Sequence, residues 1–330
     1  MNSERVAPLL SNALYPLLLG VPLCVWAWLW KAVGWDASIA LQVVYWGYLL
    51  ILVFVERARP FEKEWLKNDG QLRNDIVLTV VGVAANSIAT VALLWALTWA
   101  IKLMEPRISL NLWPEHWPYP IQIVCGVLLW DLGNHLAHRW AHKVPLLWRF
   151  HAVHHSAPRL SVVNTGRFHP LDVVKSVVIG APIPVLLGVP AEISLWYASF
   201  NVFVGLLTHS NIDVNCGIFN QFLSTPNLHR WHHSPHRIET DTNFGEATII
   251  WDRVFGTYFN PSRPPRRNVG LGGAVRVSAK LTEALLHPLT TLGHRASDAN
   301  PIQELPPGDA GFASELRNRV GSEQLKARTL

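Results

Sequence analysis

The chain has 330 residues, half of them hydrophobic and 15% charged, with a net charge of +5 and a mean hydropathy of +0.19. These proportions fit a membrane protein and argue against a two-domain soluble chain. No basic stripe with interleaved stacking aromatics accompanies the positive charge, which excludes nucleic acid as a partner, and Cys24, Cys125 and Cys216 form no CxxC pair, which excludes a disulfide framework or a thiolate zinc site.

Three uncharged stretches, 7–30, 38–55 and 76–101, are long enough to cross a hydrocarbon core that needs about 20 apolar residues. The first two predict a helical hairpin turning near Gly34. The first is too long for a signal peptide and no small-residue cleavage site follows it, so it is expected to remain as a span. The 16 Trp suit the membrane–water interface, where the ring sits among headgroups and its N–H finds a partner. A fourth run begins near Pro120 and carries Asp131 and His135 before ending at His138, a pattern that delivers polar side chains to the membrane surface. Two further apolar stretches, 177–190 and 193–207, are interrupted by Pro182, Pro184 and Pro190 and predict a re-entrant or interfacial hairpin, because backbone released by Pro must be satisfied by protein or water. From Pro261 the chain turns polar, through Arg263-Pro264-Pro265-Arg266-Arg267 and Gly270 to Gly273, with helices expected around Leu281 and Leu316.

The expected fold is therefore an all-α integral membrane protein with about four transmembrane helices, one such hairpin and a helical histidine-rich cap. It divides into N-terminal spans (1–120), a histidine-bearing catalytic domain (121–260) and a polar tail (261–330). Arg57, Arg59, Lys63, Lys67 and Arg73 cluster between the second and third spans, so the positive-inside rule places that segment in the cytosol, together with the N-terminus, the histidines and the tail.

Of the 15 histidines, 12 fall between His135 and His236. They include His138 and His142 in an HxxxH pattern, then His151, His154 and His155 and later His229, His232 and His233, each in an HxxHH pattern. Residues three and four apart share a helix face, so eight imidazoles converge from three short elements. A lone HxxxH is usually a solvated pair; three ordered boxes inside a membrane protein need ligation or hydrogen bonding to restore the solvation they lose. A transporter would carry polar groups in mid-membrane, whereas the first three spans are uncharged. Imidazole suits Zn, Cu, Fe or Ni, and eight ligands exceed the four of a structural zinc, which implies two metals with open positions.

The three boxes, Asp131 seven residues before His138, Arg139 after it, Asn243-Phe244-Gly245 and the run from Trp251 through Asp252 to Thr257 resemble the fatty acid hydroxylase superfamily, which includes sterol desaturases and alkylglycerol monooxygenase, over residues 121–258. The resemblance implies two iron ions on the eight box histidines, with zinc able to replace iron in purified material, and O2 as co-substrate. It implies hydroxylation or desaturation of a bilayer lipid (fatty acyl, sterol or ether lipid), the outcome set by how the pocket aligns the substrate. No flavin, haem or dinucleotide motif is present, so electrons are expected from a separate reductase, cytochrome b5-like or ferredoxin-like donor. The resemblance adds His209 as a ligand and His169 as a ligand or gate; some relatives carry a further His where this chain has Gly205. Asp131, His135, His236, Asp241, Asn243 and Asp252 are expected to support the ligands, as Asp172 and Glu246 could by their position, while His116, His287 and His294 read as ordinary surface residues.

Overall fold

The computed structural model describes residues 8–104, 112–265, 267–271, 277 and 280–290, and among them there is no β-strand. Three long helices come first: α1 (Pro8–Lys31), α2 (Ala37–Ala58) and α3 (Leu72–Met104). Asp36 starts α2 by accepting the N–H groups of Ser38 and Ile39 at 2.9 and 3.0 Å, which satisfies two donors that a helix start leaves free. Val43, Leu50 and Phe54 on α2 and Val83, Val91 and Trp95 on α3 are exposed. Apolar surface of that extent is what a hydrocarbon layer would cover.

The rest of the chain forms α4 (Tyr119–Lys143), α5 (Pro145–His155), α6 (Pro170–Gly180), α7 (Pro182–Leu186), α8 (Ala191–His209), α9 (Pro226–His232), α10 (Arg237–Thr240), α11 (Ile250–Val254) and α12 (Leu281–Thr290). Several of these starts follow from proline, whose fixed φ suits a first turn that has no use for its missing N–H. Pro145 opens α5, Pro170 opens α6, and Pro226 opens α9 behind the Thr225 hydroxyl, which accepts the Leu228 N–H.

Four helices are long and apolar enough to cross a membrane, and they differ from expectation in one member. The fourth is Ala191–His209, whereas α4 does not qualify because Asp131, Asn134, His135, His138, Arg139 and His142 fill its second half. The second arm of the expected hairpin is thus a helix with the length and composition of a span. Pro190 caps α8 instead of interrupting it, so α8 runs 19 residues unbroken. Its start meets the ends of two other helices, since Glu192 pairs with Lys31 at 2.5 Å and accepts from the Tyr119 hydroxyl.

At the opposite end of the bundle the basic segment between α2 and α3 is tied to the histidine-bearing loops. Buried Glu56 accepts the N–H groups of Val162 and Asn211, both at 2.7 Å, and Asp75 pairs with Arg167 at 2.7 Å and Arg159 at 3.3 Å. The core between α1, α2 and α8 is built on Tyr15, Trp26, Tyr48, Leu52 and Phe203. Helices α4 and α6 approach closely enough that a Cβ on Gly133 would sit 2.1 Å from the Gly180 carbonyl oxygen, so the contact requires glycine.

Of the expected tail helices, the one around Leu281 is α12, packed against α5, and the one around Leu316 lies outside the described residues, as does His294. His287 is not a surface residue: α12 buries it near His169. His116 is exposed as expected.

Candidate metal centre

Nine buried histidines from α4, α5, α8 and α9 with its C-cap His233 gather into two groups, one of five and one of four, in which the nearest ring nitrogens all lie within 4.8 Å of one another. The first holds His138, His142, His151, His155 and His232; the second holds His154, His209, His229 and His233. The groups do not coincide with the sequence boxes. Each HxxHH sends its i,i+4 pair to one group and its i+3 histidine to the other, so that His151 and His155 are joined by His232, while His229 and His233 are joined by His154. This exchange follows from helix geometry: i and i+4 lie nearly in line along the helix, and i+3 is offset to one side. The two groups touch through His155 and His233, whose rings stack with centroids 4.3 Å apart.

Within the first group the outer ring nitrogens face hydrogen-bond acceptors. His138 Nδ1 donates to the Phe244 carbonyl at 2.8 Å, His232 Nδ1 to the Thr242 carbonyl at 2.8 Å, and His151 Nδ1 to Asp172 at 2.9 Å. His142 Nδ1 faces Asp241 at 3.4 Å. An imidazole that donates from Nδ1 keeps a lone pair on Nε2, and all five Nε2 atoms of the group are buried with no protein partner. In the second group the Nε2 atoms of His209 and His229 are 2.8 Å apart and those of His229 and His233 are 3.1 Å apart. Two ligands at right angles around a metal, each at about 2.1 Å, stand about 3.0 Å apart. Both donor sets therefore fit metal ions: the five Nε2 atoms of the first group have no protein partner, and three imidazole nitrogens of the second crowd together at ligand spacing.

Burial and the neighbouring imidazoles hold His151, His154, His155, His229, His232 and His233 well below the ordinary histidine range, so these rings are neutral, as ligands must be.

The remaining expected residues do different work. Asp131 touches no ligand histidine; it accepts from the N–H groups of Ala247 and Thr248 and from the Thr248 hydroxyl. Asp252 accepts from the N–H groups of Phe244 and Gly245 and the hydroxyl of Thr257, and lies 3.5 Å from His135, which stacks on Phe255. Asn243, the one non-glycine residue with positive φ among the described residues, accepts the Phe259 N–H and donates to the Leu228 and Phe259 carbonyls. Asp241 reaches His142 and also pairs with Lys143 and Arg237. His236 starts α10, with its N–H on the Ser234 hydroxyl. His169 joins neither group. Its Nδ1 accepts the Leu171 N–H and its Nε2 donates to the Leu285 carbonyl of α12, so both nitrogens are taken.

Asp172 is the carboxylate nearest a ligand, and Lys175, which pairs with it at 2.8 Å, went unnoticed in the sequence although a lone Lys in an apolar run was a signal. Asp172→Asn is expected to weaken metal retention about 10- to 100-fold; chelator competition followed by metal analysis measures it, and wild-type retention would show that His151 needs no orienting partner.

A family model described as fatty acid hydroxylase matches residues 123–257. The chain is 37% identical over 308 residues to an ornithine lipid hydroxylase, OlsE, of Rhizobium tropici, a match covering 92% of this chain and 91% of the relative. The chain belongs to the fatty acid hydroxylase family. Human alkylglycerol monooxygenase is 31% identical over 163 residues, 49% of this chain and 35% of that protein, and human lathosterol oxidase is 26% identical over 208 residues, 60% and 64% respectively. No solved structure matches. With hydroxylases, monooxygenases and an oxidase as relatives, this fatty acid hydroxylase family member is an oxidoreductase, and its apolar helices make it a membrane protein.

Proposed function

We propose that the chain hydroxylates a lipid with O2, using two iron ions held by the nine clustered histidines and electrons from a separate donor. The observation that carries this reading is the pair of buried imidazole groups, in which every ring has a nitrogen without a protein acceptor or donor, or one crowded against another ring. His138, His142, His151, His155 and His232 would hold one ion and His154, His209, His229 and His233 the other. Bound iron would supply the oxidising power needed to break an unactivated C–H bond. The protein's own part is to fix ligand orientation through Phe244, Thr242 and Asp172, to keep the imidazoles neutral by burial, and to exclude bulk water from a site whose ligands are all buried.

Hydroxylation is favoured over desaturation because the relative matching along nine-tenths of both chains is a hydroxylase. The cytosolic side is supported by the bonds that tie the basic 57–73 segment and its flanks to the histidine-bearing loops, which puts both at one end of the bundle. Purified iron-loaded protein, supplied with a reductase, O2 and membrane lipids, is expected to yield a lipid product 16 mass units heavier, from insertion of one oxygen atom; an alkene product would replace hydroxylation by desaturation, and no lipid-dependent oxygen uptake would sink the reading.

A further inference from the structure

Most buried carboxylates here have a structural task. Glu56 holds two backbone N–H groups, Asp75 pairs with two arginines, Asp131 and Asp252 hold the 244–248 loop, and Asp172 orients His151. Glu246 has none of these roles. It is partly exposed, and among the described residues no Lys or Arg forms an ion pair with it. The nearby ammonium, Lys175, is already paired with Asp172 at 2.8 Å.

The fold fixes this side chain from both sides. Asp252 takes the N–H groups of Phe244 and Gly245, and Asp131 takes those of Ala247 and Thr248, so Glu246 sits at the apex of a loop clamped by two buried carboxylates. Gly245 is required there, because a Cβ would meet the Thr248 carbonyl oxygen at 1.8 Å. From this apex the carboxylate faces Asn201 of α8 and lies within electrostatic reach of Asp172 and Lys175 of α6. Phe244, two residues before it, holds His138 through its carbonyl, and Lys175 pairs with the Asp172 that holds His151, which places Glu246 beside the first histidine group.

A rigidly presented carboxylate beside the metal ligands, whose one nearby ammonium is already paired with Asp172, suits a cation brought by the substrate. We propose that Glu246 receives the ammonium group of a lipid substrate, with Asn201 as a second polar contact. The assignment deepens the lipid-oxidising reading above and rests on it. Burial pushes the Glu246 carboxyl up, a cost to its charged form that a bound ammonium would offset. The relative matching along most of this chain is named for ornithine lipid, and ornithine is an amino acid with a side-chain amine.

The test is equilibrium binding to the full-length, metal-loaded protein in lipid nanodiscs without O2, with an ornithine-headed lipid and the same lipid acetylated on its free amine as probes. Wild type is expected to bind the ammonium form about 10- to 100-fold more tightly, the range for a buried hydrogen-bonded charge. Glu246→Gln is expected to bind both forms equally with unchanged metal content, and Glu246→Asp to recover part of the preference. Equal affinity of wild type for the two lipids would overturn the proposal without recourse to any variant. So would a Glu246→Gln protein that keeps the preference and loses only turnover, since that result assigns the carboxylate to proton transfer. If the preference holds and no lipid is oxidised once O2 and electrons are supplied, the lipid-oxidising reading fails and the ammonium site stands.

Discussion

Replacing His232 by Ala is expected to abolish lipid oxidation and to lower the bound metal from two ions per chain to one. His232 comes from α9, but its ring lies among those of His138, His142 and His155, with centroids 4.5 to 4.8 Å away, and its Nδ1 is fixed on the Thr242 carbonyl. Its removal takes one of five nitrogens from the first group and leaves the second intact. Loss of a partner that merely orients a ligand costs about 10- to 100-fold in affinity or activity, and loss of the ligand itself should exceed that. Metal analysis of the purified protein and mass spectrometry of its lipid products measure the two effects, with His116→Ala as the exposed control. His287→Ala would be a poor control because α12 buries that ring. Equal metal content in His232→Ala and wild type would overturn the division into two groups.

The second large effect is expected at a residue that touches no ligand. Asp252→Ala leaves the N–H groups of Phe244 and Gly245 and the Thr257 hydroxyl buried without their acceptor. Each such orphan costs about 1 to 3 kcal/mol, so a loss of about 3 to 5 kcal/mol of stability is expected once partial relaxation is allowed for. The damage should reach the metal site, because Phe244 also offers the carbonyl that fixes His138. Thermal unfolding in detergent and metal content should therefore fall together in Asp252→Ala, and Asp252→Asn, which keeps an acceptor oxygen, should lie between that variant and wild type. A change in stability within about 0.5 kcal/mol would show that the loop finds other partners.

Asp252 also illustrates how far sequence reasoning reached. It was expected to support a ligand histidine because it stands close to the boxes in sequence, and the structure gives it a loop to hold, with His135 as a more distant neighbour. Asp131 tells the same story, as its two oxygens are spent on the backbone and hydroxyl of the segment that carries Glu246. Side-chain chemistry shows that a carboxylate will find donors, but not which of several nearby donors it will meet. Two of the four acceptors or neighbours that orient the first histidine group were also out of view, because they are backbone carbonyls, which leave no trace in residue identity, whereas Asp172 and Asp241 were among the candidates. The count of four spans held, but the identity of the fourth differed for a related reason. Hydropathy along α4 is lowered by polar residues that face protein, whereas the stretch that forms α8 was read as one arm of a re-entrant or interfacial hairpin because of the prolines before it, where the chain uses Pro190 as a cap.

The convergent histidines were legible from the start, because ligands three and four residues apart are brought together by the helix itself, whatever else the chain does. Spacing alone makes His138 and His142, His151 and His155, and His229 and His233 point the same way. Helix packing, and not spacing, sends His154 and His232 to the opposite groups and brings His209 from α8 to complete the second one. An i+3 residue lies to one side of its i,i+4 partners, and the neighbour it meets there depends on how α4, α5, α8 and α9 pack, which no local spacing encodes.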